Sequence, residues 1–240
     1  MQIEWTAGPE EFAARAAAHV VDCLAEIDTP AIALPTGMTP VGLYRQLLAL
    51  QAEGEVDLGQ GYYFNLDEYV GVAQADSHSF ATFLGRYFLD ASLIPADHIR
   101  LLQGDAGDIA AEARAHDAAV AARGGLDLAI LGLGGNGHIA FNEPGVAWTD
   151  GTHIVPLTDE TRAANAAYFE DGFTVPSQGV TMGIGMLRSA RRILLMVSGA
   201  AKAEALTMLL AGKTDPAWPV TALCGHPDLI LVADEALRPA

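Results

Sequence analysis

Leu126-Asp127-Leu128-Ala129-Ile130-Leu131 runs straight into Gly132-Leu133-Gly134-Gly135-Asn136-Gly137. An apolar run this short, cut off by glycines, reads as a buried strand. The same alternation repeats on both sides of it. Upstream, Pro9 marks a helix start, and Phe12, Ala16, Val20, Cys23, Leu24 and Ile27 recur at helical spacing. Ala31 to Leu34 reads as the first core strand and ends in Pro35-Thr36-Gly37-Met38-Thr39-Pro40. Val41, Tyr44, Leu47 and Leu48 then trace a helix. Tyr62 to Leu66 is another apolar run, breaking into the polar stretch Asp67-Glu68-Tyr69. Helical spacing returns over Ser79–Leu89 and about Asp108–Ala122. Downstream, Ile193–Val197 and Leu229–Val232 read as strands, with a helix over Ala200–Leu210 between them. Strands alternating with helices imply right-handed crossovers and a mostly parallel sheet with helices on both faces. No repeat, low-complexity tract or Pro/Ser-rich linker interrupts the pattern, so residues 1–240 read as a single α/β domain.

Composition narrows the function. At 240 residues, 51% hydrophobic, the chain can bury a large core, which excludes intrinsic disorder. No apolar run approaches the ~18 residues of a membrane span, so no membrane partner is expected. Met1 to Glu11 carries three carboxylates and no basic residue, the wrong charge for a leader, which points to the cytoplasm. Two cysteines, Cys23 and Cys224, form neither a disulfide framework nor a metal spacing. Thirteen Lys and Arg against thirty Asp and Glu give a net charge of −17, which repels phosphate backbones and excludes nucleic acid as a partner. An anionic small molecule must therefore be met by a few local cations.

Ligands of such sheets bind beyond the carboxyl ends of the strands. Four segments there carry chemistry. In the Thr36-Gly37-Met38-Thr39 loop, a glycine, two hydroxyls and the following helix N-terminus favour an anion. Taken alone it is an ordinary strand-to-helix turn, and it is neither a Walker A loop nor GxGxxG. Asp67 and Glu68 supply a candidate general base raised by partial burial, although such a pair more often caps a helix or lies in solvent. In Gly132–Pro144, four glycines within six positions precede His138, Asn142 and Glu143. A histidine in a glycine-rich strand exit, flanked by Asn136 and Glu143, is a strong candidate for proton transfer. Arg162, after Thr158-Asp159-Glu160-Thr161, and Lys202 follow strand ends and suit a phosphate clamp, although most such residues are surface charges.

Together LPTGMTPVGLY, FNLDEYVG, LGLGGNGHIAFNEPG, LTDETRAAN and Lys202–Leu206 resemble the glucosamine-6-phosphate deaminase (isomerase) family, over roughly residues 30 to 210. The resemblance implies a Rossmann-like, doubly wound fold and conversion of glucosamine 6-phosphate and water to fructose 6-phosphate and ammonia. It implies no metal and no organic cofactor, and a small sugar phosphate as partner, for a monomer or a homo-oligomer. Asp67, Asn136, His138 and Glu143 are the implied catalytic residues. Thr36, Gly37, Met38, Thr39, Glu68, Gly137, Arg162 and Lys202 are the implied substrate-binding residues. Two neighbouring activities stay open. In 6-phosphogluconolactonases the histidine motif typically continues toward Ser-Leu-Phe-Pro, whereas here it continues as Ala140-Phe141-Asn142-Glu143-Pro144. A deaminase for galactosamine 6-phosphate would need the same catalytic groups. A sugar-phosphate sensor would need a DNA-binding module, for which a core beginning by Ala31 leaves no room.

Overall fold

The computed structural model describes residues 1–145, 147–149, 151–166 and 172–239. In chain order its strands are β1 (Gln2–Thr6), β2 (Ala31–Leu34), β3 (Tyr62–Asn65), β4 (Asp67–Tyr69), β5 (Ile99–Arg100), β6 (Leu128–Gly132), β7 (His153–Pro156), β8 (Gln178–Thr181), β9 (Arg192–Val197) and β10 (Leu229–Asp234). The helices are α1 (Pro9–Glu26), α2 (Val41–Ala52), α3 (Phe80–Tyr87), α4 (Ile109–Ala121), α5 (Asp159–Ala166), α6 (Ile184–Ser189) and α7 (Ala203–Leu210). Seven strands form one sheet in the order β1-β10-β9-β6-β2-β3-β5, and every pairing in it is parallel.

Period-two alternation sends each strand's residues to two separate cores. Ile32, Leu34, Tyr63, Leu128 and Ile130 pack with Phe12 and Val20 of α1 and with Leu43 and Tyr44 of α2. Ala31, Ala33, Phe64, Ala129 and Leu131 pack on the other face with Val120 of α4, Leu187 of α6 and Leu206 of α7. Asp127 ties the sheet's middle together. Its carboxylate accepts the Ala31 N–H at 2.9 Å and pairs with Arg191 at 3.2 Å.

Two features differ from the sequence reading. A strand precedes Ala31: β1 pairs in parallel with β10 at the sheet edge. Edge exposure explains why Gln2-Ile3-Glu4-Trp5-Thr6 carries too little apolar signal to be read as core. The polar stretch Asp67-Glu68-Tyr69 is itself a buried strand. It joins a second, antiparallel sheet in the order β4-β8-β7, with Asp67 opposite Thr181. Aromatic and aliphatic side chains beneath that sheet, among them Tyr69, Phe141, Val155 and Leu157, make it a small core of its own.

Candidate active site

From β2 the chain proceeds to β3 on one side, whereas β6 lies on the other and leads to β9. The crevice between β2 and β6 is thus a topological switch point, where doubly wound sheets take their ligands. A cavity of about 350 Å³ opens there, lined by Thr36, Gly37, Met38 and Thr39 after β2 and by Gly134, Asn136 and His138 after β6.

The loop after β6 is built around the imidazole. Gly134 N–H donates to the His138 carbonyl at 2.9 Å, and Gly137 N–H to the Gly134 carbonyl at 3.1 Å, closing a tight turn. A Cβ on Gly134 would fall 2.4 Å from Cε1 of His138, so the ring lies flat against bare backbone. Gly137 has φ +86° and faces Trp218, which a Cβ would meet at 2.8 Å. Gly137 therefore shapes the turn and does not line the cavity.

Behind the ring, Nδ1 of His138 lies 3.6 Å from Oε2 of Glu143 and 3.5 Å from the Thr161 hydroxyl. The Asn136 side-chain amide donates to Oε2 of Glu143 at 2.9 Å, while its oxygen accepts the His138 N–H at 3.1 Å. The Thr158 hydroxyl donates to Oε1 at 3.3 Å. Burial works to raise Glu143, but the His138 ring, the Thr161 hydroxyl and Asn136 outweigh it and hold the carboxyl at about 2. Glu143 is thus a buried anion that acts through His138 and does not itself line the cavity. Asn136 grips Glu143 and the loop backbone, not the imidazole.

Asp67 is the opposite case. It lines the cavity but is only 6% exposed, and burial, aided by the Glu68 charge, pushes its carboxyl well above the usual range. An acid so perturbed beside a cleft can take a proton from carbon and return it near neutral pH. Its neighbour has another task. Glu68 is fully buried and lies outside the cavity lining, and its carboxylate accepts N–H groups of Tyr69 (2.9 Å), Phe80 (3.0 Å) and Ala81 (3.0 Å). Expected against substrate, Glu68 instead holds the first turn of α3 onto β4. Burial raises it to about 7 against the pull of those three N–H groups.

The two site arms meet at β8. Thr181 lies opposite Asp67 in the small sheet, and its hydroxyl accepts the Phe141 N–H at 3.1 Å. Asn142, buried, donates to the carbonyls of Ile139 (3.0 Å) and Met182 (2.9 Å). Ala140 between them takes φ +49°, a conformation that only such pinning makes tolerable for a residue with a Cβ.

Of the two expected cations, Lys202 lines the cavity and Arg162 does not. Arg162 turns outward along α5, donating to the Val175 carbonyl at 3.2 Å and pairing with Asp159 at 3.3 Å. Burial pulls Lys202 below its ordinary range, and Glu160 partly restores it. Arg86, Thr161, Tyr69 and Asn165 also line the cavity, although no sequence pattern marks them as site residues one by one. Asn165 donates to the Tyr69 hydroxyl at 2.8 Å, joining α5 to β4. The stretch LTDETRAAN carried that signal, since Thr161 and Asn165 are four apart on one helix face. Among the described residues, no three His, Cys, Asp or Glu side chains gather as a metal site.

Residues 7–231 match the family described as glucosamine-6-phosphate isomerases/6-phosphogluconolactonase. This chain belongs to that family. A glucosamine-6-phosphate deaminase of Halalkalibacterium halodurans is 39% identical over 230 residues, covering 95% of this chain and 94% of its own. That of Oceanobacillus iheyensis is 36% identical over 236 residues, covering 98% and 94%. A solved structure of a monomeric glucosamine-6-phosphate deaminase superposes with a TM-score of 0.95 at 36% identity, covering 99% of this chain and 100% of that one. A 6-phosphogluconolactonase from Thermotoga maritima reaches TM-score 0.76 at 19% identity, with 97% and 99% coverage, a likeness of fold.

Proposed function

We propose that this protein converts glucosamine 6-phosphate and water to fructose 6-phosphate and ammonia. The observation that carries the reading is a single cavity holding a carboxyl raised by burial, Asp67, and a histidine backed by a buried anion, His138 with Glu143. Groups pushed apart in this way divide acid and base duties. With Nδ1 turned to Glu143, Nε2 of His138 is left for substrate. His138 takes the C1 hydroxyl proton and returns a proton to the ring oxygen, breaking the C1–O bond to give the open aldehyde. Asp67 removes the C2 proton while the aldehyde oxygen takes one up, giving the enol. The same carboxyl then returns its proton to C1 as the nitrogen gives one up and its lone pair closes the C2 imine. Water adds to the C2 imine so formed, and the carbinolamine expels ammonia, leaving the ketone. The Thr36–Thr39 loop and Lys202 hold the phosphate and so position the reacting carbons.

The Phe141-Asn142-Glu143-Pro144 continuation supports deaminase over lactonase, because Glu143 backs the His138 ring and Asn142 pins the loop backbone at Ile139 to Met182. The same reading places the reaction in the cytoplasm. No described helix is long and apolar enough to cross a membrane. Ammonia release from glucosamine 6-phosphate and galactosamine 6-phosphate, assayed beside hydrolysis of 6-phosphogluconolactone, tests the proposal. Release from glucosamine 6-phosphate at the highest kcat/KM is expected. Lactone hydrolysis without ammonia release would overturn it.

A further inference from the structure

We infer that Arg86, and not Arg162, is the second cation that receives the substrate's phosphate. This rests on the deaminase reading. All thirteen lysine and arginine residues are described, and of them Arg86 and Lys202 alone line the cavity. Elsewhere the arginines are largely engaged. Arg100, Arg191, Arg192 and Arg238 hold carboxylates, and Arg123 lies 3.6 Å above the Tyr62 ring. Arg86 has no carboxylate within 4.0 Å among the described residues, on a protein with thirty of them.

The fold places Arg86 at the anion end of the cavity. Tyr44 donates its hydroxyl to the Pro35 carbonyl, at the root of the Thr36–Thr39 loop. The same ring stacks on Phe88 with centroids 4.9 Å apart, two residues beyond Arg86. One buried tyrosine therefore fixes the end of α3 beside the loop that offers hydroxyls and backbone N–H groups. Thr82, Phe83 and Arg86 turn a common helix face to the cavity. At pH 7 the substrate's phosphate is its only anion and its amine a cation. Glu160 in the cavity lining repels the one and attracts the other, which leaves the phosphate to Arg86, Lys202 and the threonine loop. A guanidinium is suited to it, offering paired N–H groups to two phosphate oxygens. Because Arg86 is exposed at the rim, it also draws the dianion toward an acidic protein.

The test is Arg86→Gln, with Arg114→Gln as the matched charge change on exposed α4. For Arg86→Gln we expect KM for glucosamine 6-phosphate to rise at least tenfold, with kcat within threefold of wild type. Turnover of unphosphorylated glucosamine stays unchanged, and the fall of kcat/KM with ionic strength becomes shallower. Arg86→Lys should recover part of the loss. Calorimetry with inorganic phosphate as probe should show weaker binding to Arg86→Gln than to wild type and to Arg114→Gln. A KM within twofold of wild type, or equal losses on both sugars, overturns the assignment. If the wild type releases no ammonia, the deaminase reading fails, and the phosphate calorimetry alone decides Arg86. Unweakened binding then refutes it.

Discussion

Asp67 and Glu143 are two carboxyls within one site, and their surroundings drive them in opposite directions. Asp67 faces the cavity, and burial beside Glu68 favours its protonated form. Glu143 lies one layer back, and Asn136, Thr158 and His138 favour its anion. Neither difference is in the residue type. What separates them is the company each keeps: the His138 ring and side-chain donors hold Glu143 as an anion, while burial beside a second carboxyl raises Asp67.

The sharpest way to break this contrast is Asp67→Asn, which keeps shape but cannot move a proton. It should cost at least 10²–10⁴-fold in kcat, the usual worth of general acid–base catalysis. Solvent hydrogen should no longer enter C1 of fructose 6-phosphate. The same variant should be more heat-stable than wild type at neutral pH. A carboxyl raised in the folded state contributes stability below its unfolded value, near ~3.9, which is lost as pH rises through the raised one. The thermal gain of Asp67→Asn should therefore grow with pH above about 4. A melting temperature below wild type at pH 8 would contradict the assigned environment.

Glu143→Gln should fall in the other direction. Its carboxyl, lowered to about 2, contributes stability above the unfolded value that is lost as pH falls through about 2. Against wild type the variant should melt lower at pH 7, by roughly 1–3 kcal/mol for donors left without an anion. That gap should narrow between about pH 5 and 2. We expect kcat to drop about 10²-fold, because the ring in front of Glu143 loses the carboxylate at its Nδ1. A kcat within threefold of wild type would remove Glu143 from the mechanism.

Gly134→Ala probes the same arm more gently. Its Cβ would meet the His138 ring at 2.4 Å, forcing the ring outward while Asp67 stays in place. About a tenfold loss in kcat is expected from such a displacement, with the midpoint of denaturant unfolding nearly unchanged. Full activity would show that the ring's position against Gly134 does not matter.

What the sequence disclosed follows from where each signal lies. Ala31–Leu34 and Leu128–Gly132 are buried on both faces, so their apolar runs stand out. β1 is an exposed edge, and β7 and β8 are four-residue strands whose partners are distant in sequence, so neither alternation nor length marks them. The glycine–histidine loop was legible because its residue types are rare together. Glu68 was legible as a carboxylate but not as a helix anchor, since its three N–H partners include two that lie twelve and thirteen residues on. Arg162 and Arg86 show the same limit for cations. Both sit on short helices, and only the way α3 and α5 pack decides which one faces the cavity.

The shared anchor at Thr181 has a consequence for transplanting this chemistry. Asp67 reaches it across a strand pairing, and the histidine loop reaches it through the Phe141 N–H. The spacing of the two proton-moving groups is therefore gauged against β8, a strand that bears no reacting group. A scaffold given only the β2, β3 and β6 loops would inherit the reagents without the ruler. Grafts that carry Gln178–Met182 along with them should keep the two groups in register, whatever large sheet lies underneath.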